Sequence, residues 1–168
     1  MKIAKGGIIL PKVLVVDQGK CTACRRCELA CSFKHTGEFN PAAARLTVAV
    51  FLDDDYYQPV VCQHCDEPAC MAVCPAGAIS RDVKTNAVII DDDRCIGCRM
   101  CIMACPFGGT DYSVSEQKVV KCDLCGGEPE CVLNCPWGAI EYKEPAGQAL
   151  DRREQVARKV QAALREVV

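Results

Sequence analysis

The chain has few aromatic residues, and this scarcity limits the core that it can build. Phe, Tyr and Trp together make up 5% of its 168 residues. A chain of this length is ordinarily one domain, and with so few large side chains its apolar core must be thin. We therefore expect a second source of stability besides the burial of apolar side chains.

The sequence also lacks a recognisable export signal. Its first residues, MKIAKGGIILPKVLVV, include apolar positions, but Pro11 and Lys12 interrupt the apolar run and no small-residue cleavage site follows. The pair Arg25-Arg26 lies between two cysteines, so it is not a twin-arginine signal. These features predict a cytoplasmic protein that does not insert directly into a membrane.

Positive charge is not concentrated anywhere in the chain. The 20 basic residues are outnumbered by 22 acidic residues, and they are scattered rather than arranged in a stripe. Nucleic-acid binding depends on clustered positive charge, so the sequence disfavours a nucleic-acid partner.

Cysteine, by contrast, is abundant. The chain has 16 cysteines in four blocks of four, with none left over. Each block opens with C-x2-C and closes with C-x3-C, and a proline follows the last cysteine in three of them, at Pro75, Pro106 and Pro136. The blocks are Cys21-Cys24-Cys27-Cys31, Cys62-Cys65-Cys70-Cys74, Cys95-Cys98-Cys101-Cys105 and Cys122-Cys125-Cys131-Cys135.

This spacing is typical of ferredoxin runs that hold [4Fe-4S] clusters. The first three cysteines lie on a tight loop that can place three sulfurs on one cluster, and the x3 interval puts the fourth sulfur one helical turn further on, facing away. The sequence therefore predicts four [4Fe-4S] clusters. Each oxidised cluster with its thiolates carries a charge of about −2, so the holoprotein is clearly acidic. The clusters would also supply the missing core, and folding should depend on metal binding.

Two other uses of many cysteines have to be weighed. A disulfide framework suits a small secreted scaffold, whereas this chain shows no secretory signal. Structural zinc sites use paired C-x2-C units separated by a longer loop and have no use for the x3-Cys-Pro ending. Iron–sulfur binding is favoured, and a zinc-bound interaction module remains the alternative that a measurement of iron content would decide.

The blocks alternate between two spacings. The stretch CQHCDEPACMAVCPAGAI (62–79) matches CDLCGGEPECVLNCPWGAI (122–140), and the first and third blocks share a compact x2-x2-x3 spacing. This alternation suggests two ferredoxin-like halves. Short strands are predicted between the blocks, at 13–16, 46–51, 60–61, 87–90 and 119–120.

The expected fold class is α+β, a duplicated bacterial two-cluster ferredoxin-like fold with little regular secondary structure. We assign this four-cluster domain to residues 1–145. Residues 146–168 change character, because apolar residues recur there at helical spacing between charged ones. They are expected to form a C-terminal amphipathic helix that docks onto another subunit.

The middle of the chain, CPAGAISRDVKTNAVIIDDDRCIGCRMC, resembles a bacterial two-cluster ferredoxin, in which the fourth cysteine of each run ligates the other run's cluster. The resemblance implies four ligand sets. The inner sets are Cys62, Cys65 and Cys70 with Cys105, and Cys95, Cys98 and Cys101 with Cys74. By the same resemblance the outer sets are Cys21, Cys24 and Cys27 with Cys135, and Cys122, Cys125 and Cys131 with Cys31.

Four blocks in this order, with CQHCDEPAC at 62–70 and KCDLC at 121–125, resemble the four-cluster electron-transfer subunits of molybdenum and tungsten oxidoreductases. The stretch CRRCELACSFKHTGEFNPAAARL (24–46) most resembles the small subunit of bacterial-type tungsten aldehyde oxidoreductases. The resemblance implies a non-catalytic subunit that relays single electrons. Its partners would be a catalytic tungsten- or molybdenum-pterin subunit and, as acceptor, a flavin NAD-linked subunit or a soluble ferredoxin.

Other members of this class remain as alternatives. They are the iron–sulfur subunit of a hydrogenase, formate or carbon monoxide dehydrogenase complex, and a free polyferredoxin or maturation factor. Co-purification with a stoichiometric partner would separate a subunit from a free protein.

Both histidines lie close to cysteine blocks. His64, between Cys62 and Cys65, either tunes a cluster through a hydrogen bond to its sulfur or is a packing feature. His35, four residues after Cys31, is expected to make loop hydrogen bonds rather than to bind iron.

Overall fold

The computed structural model describes residues 11–144 and residue 161. Within these residues, no helix combines the length and the apolar character needed to cross a membrane. Apart from residue 161, the predicted C-terminal helix at 146–168 lies outside the described residues, so it stays a prediction.

The secondary structure elements are short, as the sequence predicts, with one exception. The helices are α1 (Arg26–Thr36), α2 (Ala69–Ala72), α3 (Met100–Ala104) and α4 (Glu130–Leu133). Single 3-10 turns occur at Gln18–Lys20, Pro41–Ala43, Leu52–Asp54 and Leu124–Gly127. The strands are β1 (Val13–Val16), β2 (Thr47–Phe51), β3 (Tyr56–Val60), β4 (Ile79–Arg81), β5 (Val88–Ile90), β6 (Thr110–Ser113), β7 (Lys118–Lys121) and β8 (Ile140–Lys143).

Most of the predicted strands are confirmed. Strands β1, β2, β5 and β7 fall on the predicted segments to within two residues. The strand predicted at 60–61 was placed wrongly, because β3 ends at Val60 and runs back to Tyr56. Strands β4, β6 and β8 were not predicted, although each begins a few residues after the last cysteine of a block.

All strands of the described chain pair as two-stranded antiparallel units. Three of them, β2–β3, β4–β5 and β6–β7, join neighbours in sequence, whereas β1 pairs with β8 and so brings the two ends of the cysteine region together. A two-stranded unit is only marginally stable by itself in water. The strands therefore need support from what lies between them, and the cysteine loops occupy that position.

Helix α1 is the exception to the short elements, with 11 residues. Its buried face consists of Cys27, Glu28, Cys31 and Ser32 rather than of large apolar side chains. The Glu28 carboxylate, which is 1% exposed, accepts hydrogen bonds from Arg25 Nε at 2.6 Å and from the backbone N–H of Val48 at 2.7 Å. This buried carboxylate fixes the helix against strand β2, because removing it would leave a buried amide without a partner.

Aliphatic side chains and cysteines make up most of the core of the described residues. It contains no buried aromatic residue, and its largest fully buried side chains include Leu124, Ile140 and Val61. Seven of the buried core residues are cysteines, namely Cys27, Cys31, Cys62, Cys70, Cys101, Cys122 and Cys131. The thin apolar core expected from composition is therefore confirmed, and the centre of the molecule is lined with thiols.

Candidate metal centres

All 16 cysteines lie in the described region, and none forms a disulfide. Cys135 from the end of the region lines one cavity together with three cysteines of the first block. We refer to this set as quartet 1: Cys21, Cys24, Cys27 and Cys135. Pairing of β1 with β8 brings these two distant segments together.

A second cavity has the same arrangement of cysteines. It is lined by three cysteines of the third block and by the last cysteine of the second block. This set is quartet 4: Cys74, Cys95, Cys98 and Cys101. The rest of the lining is almost entirely apolar and includes Ile79, Ile90 and Val119.

The remaining cysteines also come together across blocks. Cys131 lies close enough to Cys122, Cys31 and Cys125 for their charges to interact, and these four form quartet 2. Cys70 interacts in the same way with Cys62 and Cys105. With Cys65, the remaining cysteine of the same loop, they form quartet 3.

Gly109 explains how Cys105 reaches the second block. A Cβ atom built on Gly109 would lie 2.7 Å from the Cα of Cys62, so only a residue without a side chain fits there. The N–H of Gly109 also donates to Cys105 Sγ at 3.3 Å. The backbone at 109 is therefore pressed against one member of quartet 3 and hydrogen-bonded to another.

The quartets lie in a row. Cys27 of quartet 1 is close to Cys131 of quartet 2. Cys122 of quartet 2 is close to Cys62 of quartet 3. Cys70 of quartet 3 is close to Cys101 of quartet 4. These neighbouring pairs link the quartets in the order 1-2-3-4, which differs from the order of the blocks in the sequence.

A backbone amide donates to the last cysteine of every block, at 3.3 Å in each case. The four donor–acceptor pairs are Arg45 to Cys31, Ala78 to Cys74, Gly109 to Cys105 and Ala139 to Cys135. Hydrogen bonds to a sulfur favour its thiolate form, and they raise the reduction potential of a cluster that it binds.

The loops between the first two cysteines share one unusual backbone feature. The residue just before the second cysteine has a positive φ in all four blocks: Ala23 (54°), His64 (46°), Gly97 (68°) and Leu124 (57°). Residues other than glycine pay about 1–2 kcal/mol for this conformation, so three of the four loops hold strain. Successive N–H groups in such turns form a concave site for an anion. Strain of this kind typically marks a functional site.

Burial favours the neutral form of several thiols by raising their pKa values. It raises the pKa of Cys27 to about 12, with further contributions from Glu28 and from neighbouring cysteines. Burial also raises the pKa of Cys122 to about 12. Thiolates are the forms that bind iron, so metal binding must release protons from these sites.

Three buried polar atoms beside quartets 2 and 3 are donors without a protein partner: Arg45 Nε, His64 Nε2 and Thr110 Oγ1. The backbone amides of Arg45 and His64 themselves donate to cysteine sulfurs, and Thr110 follows Gly109, whose amide does the same. Buried donors are almost always paired, so these three atoms call for acceptors that the protein itself does not supply. The sulfides of an anionic iron–sulfur cluster fit this requirement.

His35 lies in a charged network beside quartet 2. Its Nδ1 is 2.9 Å from the carbonyl oxygen of Cys31 and its Nε2 is 3.2 Å from Asp123 Oδ1. The other carboxylate oxygen, Asp123 Oδ2, accepts a hydrogen bond from Arg45 Nη1 at 2.8 Å. Burial alone would lower the pKa of His35, but the hydrogen bonds to Asp123 and Cys31 outweigh it and raise the pKa to about 9. The expectation that His35 makes hydrogen bonds is confirmed.

The chain also brings His35, Asp123 and Cys125 close enough for their ligand atoms to lie within 4.8 Å of one another. The His35 and Asp123 atoms are already bonded to each other, and Cys125 is a member of quartet 2. Sequence reasoning missed Asp123 and Arg45, because their partners are distant in the chain. Asp123 lies 88 residues from His35 and 78 residues from Arg45.

The fold and the cysteine quartets define a small protein of the ferredoxin type that binds [4Fe-4S] clusters. Its sequence matches the 4Fe-4S dicluster domain family over residues 54–145 and a 4Fe-4S binding domain over residues 18–34. The first match covers more than half of the chain. The chain therefore belongs to the 4Fe-4S dicluster domain family.

Several curated proteins are similar to it. The probable anaerobic dimethyl sulfoxide reductase chain YnfG of Escherichia coli is 37% identical over 123 residues, which cover 64% of this chain and 58% of YnfG. The polyferredoxin-like subunit of the aliphatic sulfonate oxidoreductase of Pyrococcus furiosus is 38% identical over 111 residues, 66% of this chain and 64% of that subunit. The electron transport protein HydN of Escherichia coli is 37% identical over 110 residues, 61% of each chain.

Proposed function

We propose that this chain is the electron-transfer subunit of an oxidoreductase and holds four [4Fe-4S] clusters, one in each quartet. Iron–sulfur clusters take up and release single electrons. The chain's own contribution is to provide thiolates, to donate hydrogen bonds to their sulfurs and to exclude water. The sets of cysteines brought together across blocks support the ligand sets implied by the ferredoxin resemblance.

The observation that carries the proposal is the position of the two exposed cysteines. Of the 16, only Cys24 and Cys98 are exposed. They belong to quartets 1 and 4, which lie at opposite ends of the row. The inner quartets contain no exposed cysteine. Exposed cysteines at two separate quartets suit a path across the protein better than a carrier with a single exchange point.

Exposed apolar side chains accompany both ends. Trp137 lines the cavity of quartet 1 and is 58% exposed. Ile96 and Met100 line the cavity of quartet 4 and are 69% and 51% exposed. Exposed apolar groups beside a functional site are typical of surfaces that a partner covers. We assign one end to a catalytic subunit and the other to the electron acceptor.

We propose further that the catalytic partner is a tungsten- or molybdenum-pterin subunit that oxidises aldehydes in the cytoplasm. The resemblance of residues 24–46 to small subunits of bacterial-type tungsten aldehyde oxidoreductases supports this. Two of the relatives above are named as parts of larger oxidoreductases, which supports the role of a subunit. A flavin NAD-linked subunit or a soluble ferredoxin would serve as the acceptor.

Anaerobic purification from the native cell tests both levels of the proposal. The protein should contain about 16 iron atoms and about 16 acid-labile sulfides per chain. Stoichiometric zinc without sulfide would refute the cluster assignment. Next, a co-purifying subunit should contain tungsten or molybdenum with pterin, and the complex should reduce an acceptor dye when aldehyde is added.

Two other outcomes would replace the proposed partner and leave the cluster assignment intact. Co-purification with a hydrogenase, a formate dehydrogenase or a carbon monoxide dehydrogenase would assign the chain to that enzyme. A loaded protein that purifies without any partner would identify it as a free polyferredoxin.

A further inference from the structure

The junction between quartets 2 and 3 contains a buried lysine. Lys121, at the end of strand β7, is 3% exposed. Its ammonium donates to the carbonyl oxygens of Val88 and Cys122, which are neutral groups. Its positive charge lies close enough to Cys70 and His64 of the second block to interact with them electrostatically. The next residue in the chain is Cys122, a member of quartet 2. Lys121 therefore lies between the thiols of quartet 3 and those of quartet 2.

A buried ammonium bound only to carbonyl oxygens is unfavourable, because a charge taken out of water needs an opposite charge nearby. Besides Asp123, which lines the same cavity as Lys121, the thiolates and sulfides that quartets 2 and 3 would hold supply negative charge at this junction. Lys118, three residues earlier on the same strand, is different. It pairs with Asp92 at 2.6 Å and with Glu116 at 3.1 Å.

His64 is hydrogen-bonded to the same residue of strand β5 as Lys121. The N–H of Val88 donates to His64 Nδ1 at 3.0 Å, while the Val88 carbonyl accepts from Lys121. An Nδ1 that accepts a hydrogen bond carries no proton, so the imidazole is neutral and its only N–H is on Nε2. That atom is buried and has no partner in the protein. A backbone group thus fixes the tautomer that presents a donor at the cluster site.

We propose that Lys121 and His64 raise the reduction potentials of the clusters in quartets 2 and 3 above those in quartets 1 and 4. Lys121 acts through its charge, and His64 acts through a hydrogen bond from Nε2 to a cluster sulfur. Net charge and hydrogen bonds to sulfur are the two means by which a protein raises such potentials. The inference rests on the proposed four-cluster function. With raised potentials, the two central clusters would together hold two electrons, one each.

Redox titration of the loaded protein, followed by electron paramagnetic resonance, tests the role of Lys121. In Lys121→Met, the reduction potentials of the clusters in quartets 2 and 3 should fall. At a fixed solution potential, their ratio of reduced to oxidised form should drop about tenfold, which corresponds to about 59 mV for one electron. The other two couples should stay in place, and Lys118→Met should leave all four unchanged. Four equal shifts, or none, would overturn the inference.

A measurement on protein with the native junction tests His64, even where the Lys121 variant fails to load iron. The chain has only two histidines, so ¹⁵N-labelled histidine reports on His35 and His64 alone. Pulsed resonance on the reduced protein should show a ¹⁵N coupling that persists in His35→Gln and disappears in His64→Leu. A coupling that disappears in His35→Gln, or no coupling at all, would contradict the role of His64. Wild-type protein without iron would instead refute the proposed function.

Discussion

Replacing Gly109 by alanine should empty one cysteine quartet while leaving the others loaded. The added Cβ would lie 2.7 Å from Cys62 Cα and 3.2 Å from Cys62 N, whereas ordinary contacts begin at 3.4 Å. Both sides of the contact are backbone, so the chain must separate there by about 0.7 Å, and overpacking of this kind typically costs 1–3 kcal/mol. Metal sites tolerate ligand displacements of about 0.2 Å. Cys62 and Cys105 would therefore no longer fit one cluster.

The measurement is iron and acid-labile sulfide per chain in anaerobically purified protein. Gly109→Ala should contain about 12 iron atoms rather than about 16, the loss of one cluster. Gly97→Ala is the matched control, since Gly97 also lies in the cysteine region and has no atom within 4 Å of an added Cβ. That change costs only the left-handed backbone conformation that Ala23 already adopts. Full loading of Gly109→Ala would refute the assignment of Cys62 and Cys105 to one quartet.

Three further predictions address ligand crossing, pH and the C-terminal segment. Cys105→Ala should damage the cluster bound by the second block more than the cluster bound by the third block, to which Cys105 belongs. Spectra of the remaining clusters would measure this, and greater damage to the cluster of the third block would contradict the exchange of ligands between blocks. The folded-state pKa of His35, about 9, exceeds its unfolded value of 6.5. Its contribution to stability is therefore complete below pH 6.5 and lost as pH rises through 9. Thermal unfolding should show this loss in wild type and not in His35→Gln, and equal pH profiles would exclude it. Deletion of residues 149–168 should preserve iron content and weaken subunit association; loss of iron would show that the segment covers the clusters.

Much of the candidate site could be predicted because cysteine spacing is a local property of the sequence. The four blocks and the thin core follow from counting residues, and strands such as Val13–Val16 follow from short runs of β-branched residues. Helix α1 could not be predicted in this way. Its buried face is made of Cys27, Glu28, Cys31 and Ser32, and a search for apolar periodicity does not detect such a face.

Features that depend on distant partners also escaped prediction. Asp123 gains its role from His35, which lies 88 residues away along the chain. Gly109 is similar, because its need for glycine comes from the backbone of Cys62 and not from its own φ. In each case the local sequence is ordinary, and only the tertiary contact distinguishes the residue.

The pairing of early cysteines with late ones fixes an order of assembly during synthesis. Quartet 4 is complete once Cys101 has left the ribosome, whereas quartet 1 has to wait for Cys135, although its other members are the first cysteines made. Closing the longer loop also costs more entropy, about 0.6 kcal/mol for each doubling of its length. The central blocks would thus acquire iron first. The thiols of the first block, synthesised before those of the other three blocks, would be the last to be covered. They depend on iron delivery after translation has passed residue 135.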